Sequence, residues 1–346
     1  MSLSGRIDDF QRRHPATGYP LAVIYKFFDD QGAYLAAMCT YYAFISLFPL
    51  LLLFSTILGI VLADNPALQE RILDSAMSQI PVIGAELGEP EKLGGGVPTL
   101  IIGGLIALYG GLGVAVAVQN AMNVIWAVPR NERPDPILVR LRGMVLLSTV
   151  GLAIVGLTVV NGFAAGLDLG VANRWFAILG SVILNTGVFT IAFQFGPARD
   201  LSIRDVFPGA FAAALCWQAI QTFGAVYVER VIANASATNG VFAIVLGLLA
   251  FLYVTSIVLM FCLEANVVRV DHLYPRSLLT PFTDNVILTK GDERAYSAQA
   301  RAQRNKGFQE IDVTFDNPRE NPDQAAGGSD SQGSPDRAAE NASDKG

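Results

Sequence analysis

Apolar positions in this chain fall in long, nearly unbroken runs rather than in the alternating or three-and-four spacing of soluble strands and helices. Six runs, at 33–63, 99–128, 143–166, 175–196, 206–228 and 241–270, predict six transmembrane helices. An α-helix rises about 1.5 Å per residue, so roughly 20 residues cover a hydrocarbon core about 30 Å thick, and every run is long enough. The fold class is therefore expected to be all-α, a polytopic membrane protein. Its organisation reads as an N-terminal segment at 1–30, a six-helix domain at 31–272 with a long loop at 64–98, and a tail at 273–346.

Lysine and arginine alternate across the connections. Arg6, Arg12, Arg13 and Lys26 precede the first run, Arg130, Arg133, Arg140 and Arg142 lie in the second connection, and Arg199 and Arg204 in the fourth. Arg269 begins a further basic series after the last run, while the other side holds only Arg71, Lys92, Arg174 and Arg230. Basic segments stay in the cytoplasm, which places both termini inside. An even number of crossings requires the two termini to lie on the same side. No cleavable signal peptide is expected, because residues 1–30 carry mixed charges and the first apolar run is far longer than a signal core.

Within the 64–98 loop, Leu68, Ile72, Leu73, Ala76 and Ile80 share one helical face. This predicts an amphipathic helix, lying on the outer membrane surface or packed on the protein. The tail from about Thr280 is polar, with few large apolar residues after Ile311, and is expected to be disordered.

Composition sharpens the class. The chain is 52% hydrophobic and 16% charged, with a mean hydropathy of +0.43, against about 25% charged for a soluble domain. A net charge of −6 opposes nucleic-acid binding, which needs a basic face. Cys39, Cys216 and Cys262 sit in apolar runs without paired spacing and read as small hydrophobes. His14 and His272 are far apart and outside the runs, so no histidine-based metal site is expected. There is no Gly-x-x-x-x-Gly-Lys phosphate loop and no Gly-x-Ser-x-Gly nucleophile context. The reading is no cofactor, no metal and no enzymatic activity.

Polar residues inside the runs carry what functional signal there is. With both termini inside, Tyr42 and Ser46 fall in the cytoplasmic half of the first span, with Pro49 near its middle as a kink or candidate hinge. Gln119, Asn120 and Asn123 lie near the cytoplasmic end of the second span, and Gln218 and Gln221 nearer the midplane of the fifth. Glu264 and Asn266 lie toward the cytoplasmic end of the sixth. An intramembrane carboxylate costs about 2.5–3.5 kcal/mol on insertion scales, so Glu264 is expected to face a polar interior. The amides either line a hydrated cavity with it or bond helix to helix at roughly 0.6–2 kcal/mol each. Gly103, Ala107, Gly111 and Ala115 recur every four residues and predict a close-packed seam. Trp126 and Trp175, at span ends, read as interfacial anchors.

These residues resemble a known family. Tyr41-Tyr42-Ala43-Phe44-Ile45-Ser46-Leu47-Phe48-Pro49-Leu50 is similar to the Tyr…Ser-Leu-x-Pro signature of the BrkB/YihY family of bacterial inner-membrane proteins. Asn123-Val124-Ile125-Trp126 looks like its Asn-x-Ile-Trp element, and Pro208-Gly209-Ala210-Phe211-Ala212-Ala213-Ala214-Leu215 like its entry to the fifth span. Leu263-Glu264-Ala265-Asn266 corresponds to its Gly-Ala-Glu segment. The resemblance covers about 25–269 with six spans in register. This chain departs from the pattern at Cys262-Leu263, at Asn239-Gly240 where the family has Tyr-Gly, and at Gln218 and Gln221, where many relatives carry charge. The resemblance implies an envelope-associated inner-membrane protein of unsettled activity. A ribonuclease label attached to some members is opposed here by the absence of any metal constellation or basic surface.

The expected function is transport or lipid handling for the cell envelope through a cytoplasm-facing polar cavity, with membrane lipids as partners and an amphiphilic molecule as substrate. The competing expectation is a membrane scaffold that recruits partners through its loop or tail, and deletion of the tail separates the two. Oligomeric state is not legible.

Overall fold

The computed structural model describes residues 10–11, 13–62, 64–78, 97–166, 171–227, 237–278 and 286–315, and among them every regular element is helical. The helices are α1 (Tyr19–Asp29), α2 (Gly32–Val61), α3 (Pro66–Ser78), α4 (Val97–Ile125), α5 (Pro136–Gly166), α6 (Val171–Phe195), α7 (Ile203–Tyr227), α8 (Ala237–Val270) and α9 (Lys290–Arg301). Five contain described stretches long and apolar enough to cross a membrane: Leu108–Ile125, Pro136–Val159, Trp175–Phe195, Ile203–Gly224 and Val245–Val270. The first predicted span falls on α2, a 30-residue helix whose described apolar stretch, Gly32–Leu47, is shorter.

Local chemistry sets several boundaries. Helix α5 starts at Pro136, ahead of the predicted 143, because Asp135 caps it: its Oδ1 accepts from the N–H groups of Ile137 and Leu138 at 3.1 and 2.8 Å. Pro136 then supplies a preset first-turn φ. Arg140 and Arg142, which interrupt the apolar run, thus ride on the helix itself. Helix α2 runs through Pro49 without ending. Helix α3 realises the amphipathic prediction in its packed form, lying against α5 and α2 with Ile72 buried. Ile80 and the rest of that loop as far as residue 96 lie outside the described residues.

Helices α2, α4, α5, α6, α7 and α8 form a closed ring, each packed on the next, with α8 returning to α2 and α1 laid against α8. The main apolar core sits at one end of this ring. There Ala22 and Phe27 of α1 meet Met122 and Ile125 of α4, Phe193 of α6, Val206 and Ala210 of α7, and Leu263 and Val267 of α8. A smaller cluster of Leu47, Leu248 and Phe251 lies farther along the ring. Trp126 is 1% exposed within the main core, with the Arg199 guanidinium 4.9 Å from its ring centroid, so it is a core residue and not an interfacial anchor. Trp175 is 64% exposed.

Order also extends into the tail, against expectation. Thr289 and Asp292 form a reciprocal capping box that starts α9. Asp292 also receives the buried Arg276 guanidinium and the Ser277 N–H. Arg276 is fully buried and reaches Asp29 at 3.0 Å as well, which fastens the segment after α8 to α1. Two carboxylates hold its pKa above the usual arginine value although burial acts to lower it. Residues 316–346 of the tail lie outside the described residues.

Candidate functional site

Glu264 lies near the end of α8 and is fully buried. Its Oε2 is 3.6 Å from the Nζ of Lys26, a residue of α1 that is itself 4% exposed. The same ammonium donates to the Asp30 carboxylate and, at 3.0 Å, to the Ile125 carbonyl at the end of α4. One charge thus joins α1, α4 and α8. Among the described residues Lys26 is the cation that meets the Glu264 carboxylate, and the Asp30 carboxyl stands beside it. Burial acts to lower the Lys26 pKa, yet Glu264 and Asp30 together raise it above the usual lysine value and keep the ammonium charged. Asp30 is pushed up, by burial first, with Lys26 opposing and Asp29 adding to the rise. Two buried carboxylates therefore share one ammonium, an arrangement that is neutral only when one acid holds a proton.

Lys26 and Asp30 also line an open cleft of about 350 Å³, together with Asp29, Arg130, Arg133 and Gln299. It lies among the α1–α2 corner, the α4–α5 connection and α9. Two backbone positions on its wall, Gln31 and Ala127, hold left-handed φ values of 55° and 49°. Residues other than glycine rarely adopt these, and such strain collects at sites the surrounding fold over-determines.

The amides named from the sequence are employed differently. Asn266 accepts from the Gly209 N–H at 2.9 Å and donates to the Val206 carbonyl at 3.0 Å, joining α8 to the first turns of α7. The approach is so close that a Cβ on Gly209 would stand 2.4 Å from both Asn266 Nδ2 and the Cys262 carbonyl. Gln119 donates to the Ala115 and Val139 carbonyls, joining α4 to α5. Asn123 accepts from the Ala198 N–H at 2.7 Å, holding the α6–α7 connection. Asn120 is exposed and accepts from Arg133 at 3.4 Å. Ser46 donates to the Gly110 carbonyl, and Tyr42, 40% exposed, covers Gly113. Gln218 and Gln221 are half-buried on α7, Gln218 standing about 14 Å farther along the helix than Gly209. The structure therefore brings Glu264 to Lys26 and Asp30, while it gives Asn266, Gln119 and Asn123 backbone partners.

The small-residue series resolves into two contacts. A Cβ on Gly111 would meet Leu50 of α2 at 2.3 Å, and Ala115 faces Gly143 of α5. Gly103 and Ala107 lie in the part of α4 whose side chains fall outside the described residues. Pro49 packs beside Gly110. Lys26 and Asp30 did not stand out as site residues in the sequence because they sit outside the spans, where Lys26 counts only as a topology charge. Their signal is an i, i+4 charge pair at the end of the otherwise apolar stretch YPLAVIYKFFDD. Among the described residues no group of His, Cys, Asp and Glu side chains is arranged to hold a metal.

The sequence model of the family described as Virulence factor BrkB matches residues 23–281, a span that includes Lys26, Asp30, Arg130, Arg133 and Glu264. Inner membrane protein YhjD of Escherichia coli (strain K12) is 23% identical over 273 residues, covering 72% of this chain and 80% of that protein. No solved structure gives a significant match. A helical ring with several membrane-length apolar helices fits an inner-membrane location, and with a family match across well over half its length the chain belongs to the BrkB family.

Proposed function

We propose that this protein is an inner-membrane transporter or lipid-handling protein with six spans and both termini in the cytoplasm. It moves or accommodates an amphiphilic envelope component at its cytoplasmic end and carries out no chemical conversion. The topology draws support from which segments meet. Lys26 reaches Ile125, the Arg130 N–H bonds the Ala302 carbonyl at 3.2 Å, and Arg199 pairs with Asp271 at 2.7 Å. Both terminal segments and the two basic connections thus share one end, the end that the distribution of positive charge assigns to the cytoplasm.

The observation that carries the function is the wholly buried Glu264, paired with Lys26 and Asp30 beside the cleft. Ionisable groups held in membrane helices mark transport paths more often than they add stability. In this reading the Asp30–Glu264 pair holds a proton while Lys26 keeps α1 docked. Loss or gain of that proton changes how firmly α1 docks on α8 at the end of the ring, and Pro49 gives α2 a point of movement. The test is reconstitution of purified protein in vesicles with headgroup-labelled lipid on one leaflet. Wild type is expected to move the label faster than protein-free vesicles, and Glu264→Gln to slow it at least tenfold. Equal rates in wild type and variant, or no movement in either, would contradict the reading.

A further inference from the structure

We propose that the cleft beside Lys26 recognises a phosphate group through Arg130 and Arg133. The inference rests on the functional reading above and names the chemistry recognised: the phosphate of a lipid headgroup, or free phosphate.

Positive charge is left over beside the cleft. The α4–α5 connection carries two arginines and two carboxylates, and both carboxylates are engaged elsewhere. Glu132 pairs with Arg304, and Asp135 caps α5. The carboxylates that line the cleft are engaged too, Asp29 with Arg276 and Asp30 with Lys26. Arg133 is half-buried and bonds neutral oxygens, the Val128 carbonyl at 3.2 Å and Asn120 Oδ1 at 3.4 Å. Among the described residues neither Arg130 nor Arg133 forms an ion pair. Burial, and then the like charge of Arg130, act against the Arg133 cation. An anion placed between the two relieves both.

Phosphate fits this setting. Arginine forks match its oxygens two at a time. A volume of about 350 Å³ lies at the small end of the roughly 300–1,000 Å³ of ligand sites, enough for a headgroup without its acyl chains. The arginines sit between the apolar stretches that end at Ile125 and begin at Pro136, the depth at which headgroups lie. Ile137, Leu138 and Leu141 on the following turns of α5 are 72%, 42% and 53% exposed, an apolar surface beside the cations for the chains of the same amphiphile.

Native mass spectrometry of the full-length protein in neutral detergent tests this. The probes are phosphatidylglycerol, a diacylglycerol with the same chains, and inorganic phosphate. Wild type is expected to retain phosphatidylglycerol over diacylglycerol. Arg130→Gln/Arg133→Gln should retain it about tenfold to a hundredfold less, the range expected for losing charge-assisted hydrogen bonds. Arg140→Gln/Arg204→Gln, which removes two exposed cations from the same end, should retain it as wild type does. If millimolar inorganic phosphate displaces the lipid, free phosphate shares the site; if it does not, the headgroup is the ligand. No preference for phosphate in wild type, or equal losses in the two double variants, overturns the proposal. Should the Gln pair unfold, Arg133→Lys takes its place, with the expected loss tracing to the missing fork at unchanged charge. Lipid movement that persists without phosphate preference sinks this inference alone, whereas phosphate retention without lipid movement sinks the functional reading alone.

Discussion

Lys26→Met removes the cation that meets both Asp30 and Glu264 among the described residues, while keeping an unbranched apolar stem in α1. At 3.6 Å and an effective dielectric constant of about 20, the Lys26–Glu264 attraction alone is about 5 kcal/mol. Removing one member of a buried pair elsewhere destabilises by about 3–5 kcal/mol, most of it the desolvation of the stranded partner. Glu264 is fully buried and Asp30 is 7% exposed, so water cannot take over the lost partner, and the full range is expected. Adding Asp30→Asn and Glu264→Gln removes the stranded charges and should recover most of the loss. The assay is unfolding by denaturing detergent in mixed micelles, followed by tryptophan fluorescence, with buried Trp126 as a reporter within the same core. A loss below about 1 kcal/mol for Lys26→Met, or no recovery on neutralising the carboxylates, would refute the claim that these three groups form one electrostatic unit.

Further outcomes follow from the same geometry. Asp30 holds its proton above the ordinary carboxylate value of 3.8, so the stability this gives is full at low pH and is lost as pH rises through the raised value. Wild type should therefore lose stability from about pH 4 upward relative to Asp30→Asn, as read from unfolding curves across pH. Gly209→Ala should cost roughly 1–3 kcal/mol, because the new methyl meets the Cys262 carbonyl at 2.4 Å, a backbone atom that cannot step aside. Gly111→Ala meets the far end of the Leu50 side chain and should cost less in the same assay. Arg276→Met strands the buried Asp292 and should raise hydrogen exchange across residues 290–301 while the exchange of α6 stays unchanged.

The all-helical fold and its membrane-length helices were legible because long apolar runs are patterns of composition, carried by many residues at once. What was not legible was facing. Gln119, Asn123 and Asn266 look alike in sequence whether they point into water or, as here, satisfy a backbone group on the next helix. Trp126 reads as an anchor by position, yet α1 and the α6–α7 connection fold over it and make it core. Helix α9 is polar in composition, so no apolar run betrays it; its sequence signal is Thr289 followed three residues later by Asp292. Glu264 stood out by its own improbability. Its partner Lys26 sits more than two hundred residues away, in a segment whose charges had already been accounted for by topology.

The buried charges at Lys26, Asp30 and Glu264 are proposed to work for movement of an amphiphile rather than for stability. The triple variant Lys26→Met/Asp30→Asn/Glu264→Gln keeps the cluster neutral and the fold intact, so it separates the two roles. Unfolding in mixed micelles should then show near wild-type stability, while movement of headgroup-labelled lipid in vesicles falls at least tenfold. A triple variant that moves lipid as fast as wild type would show that the cluster only holds helices together.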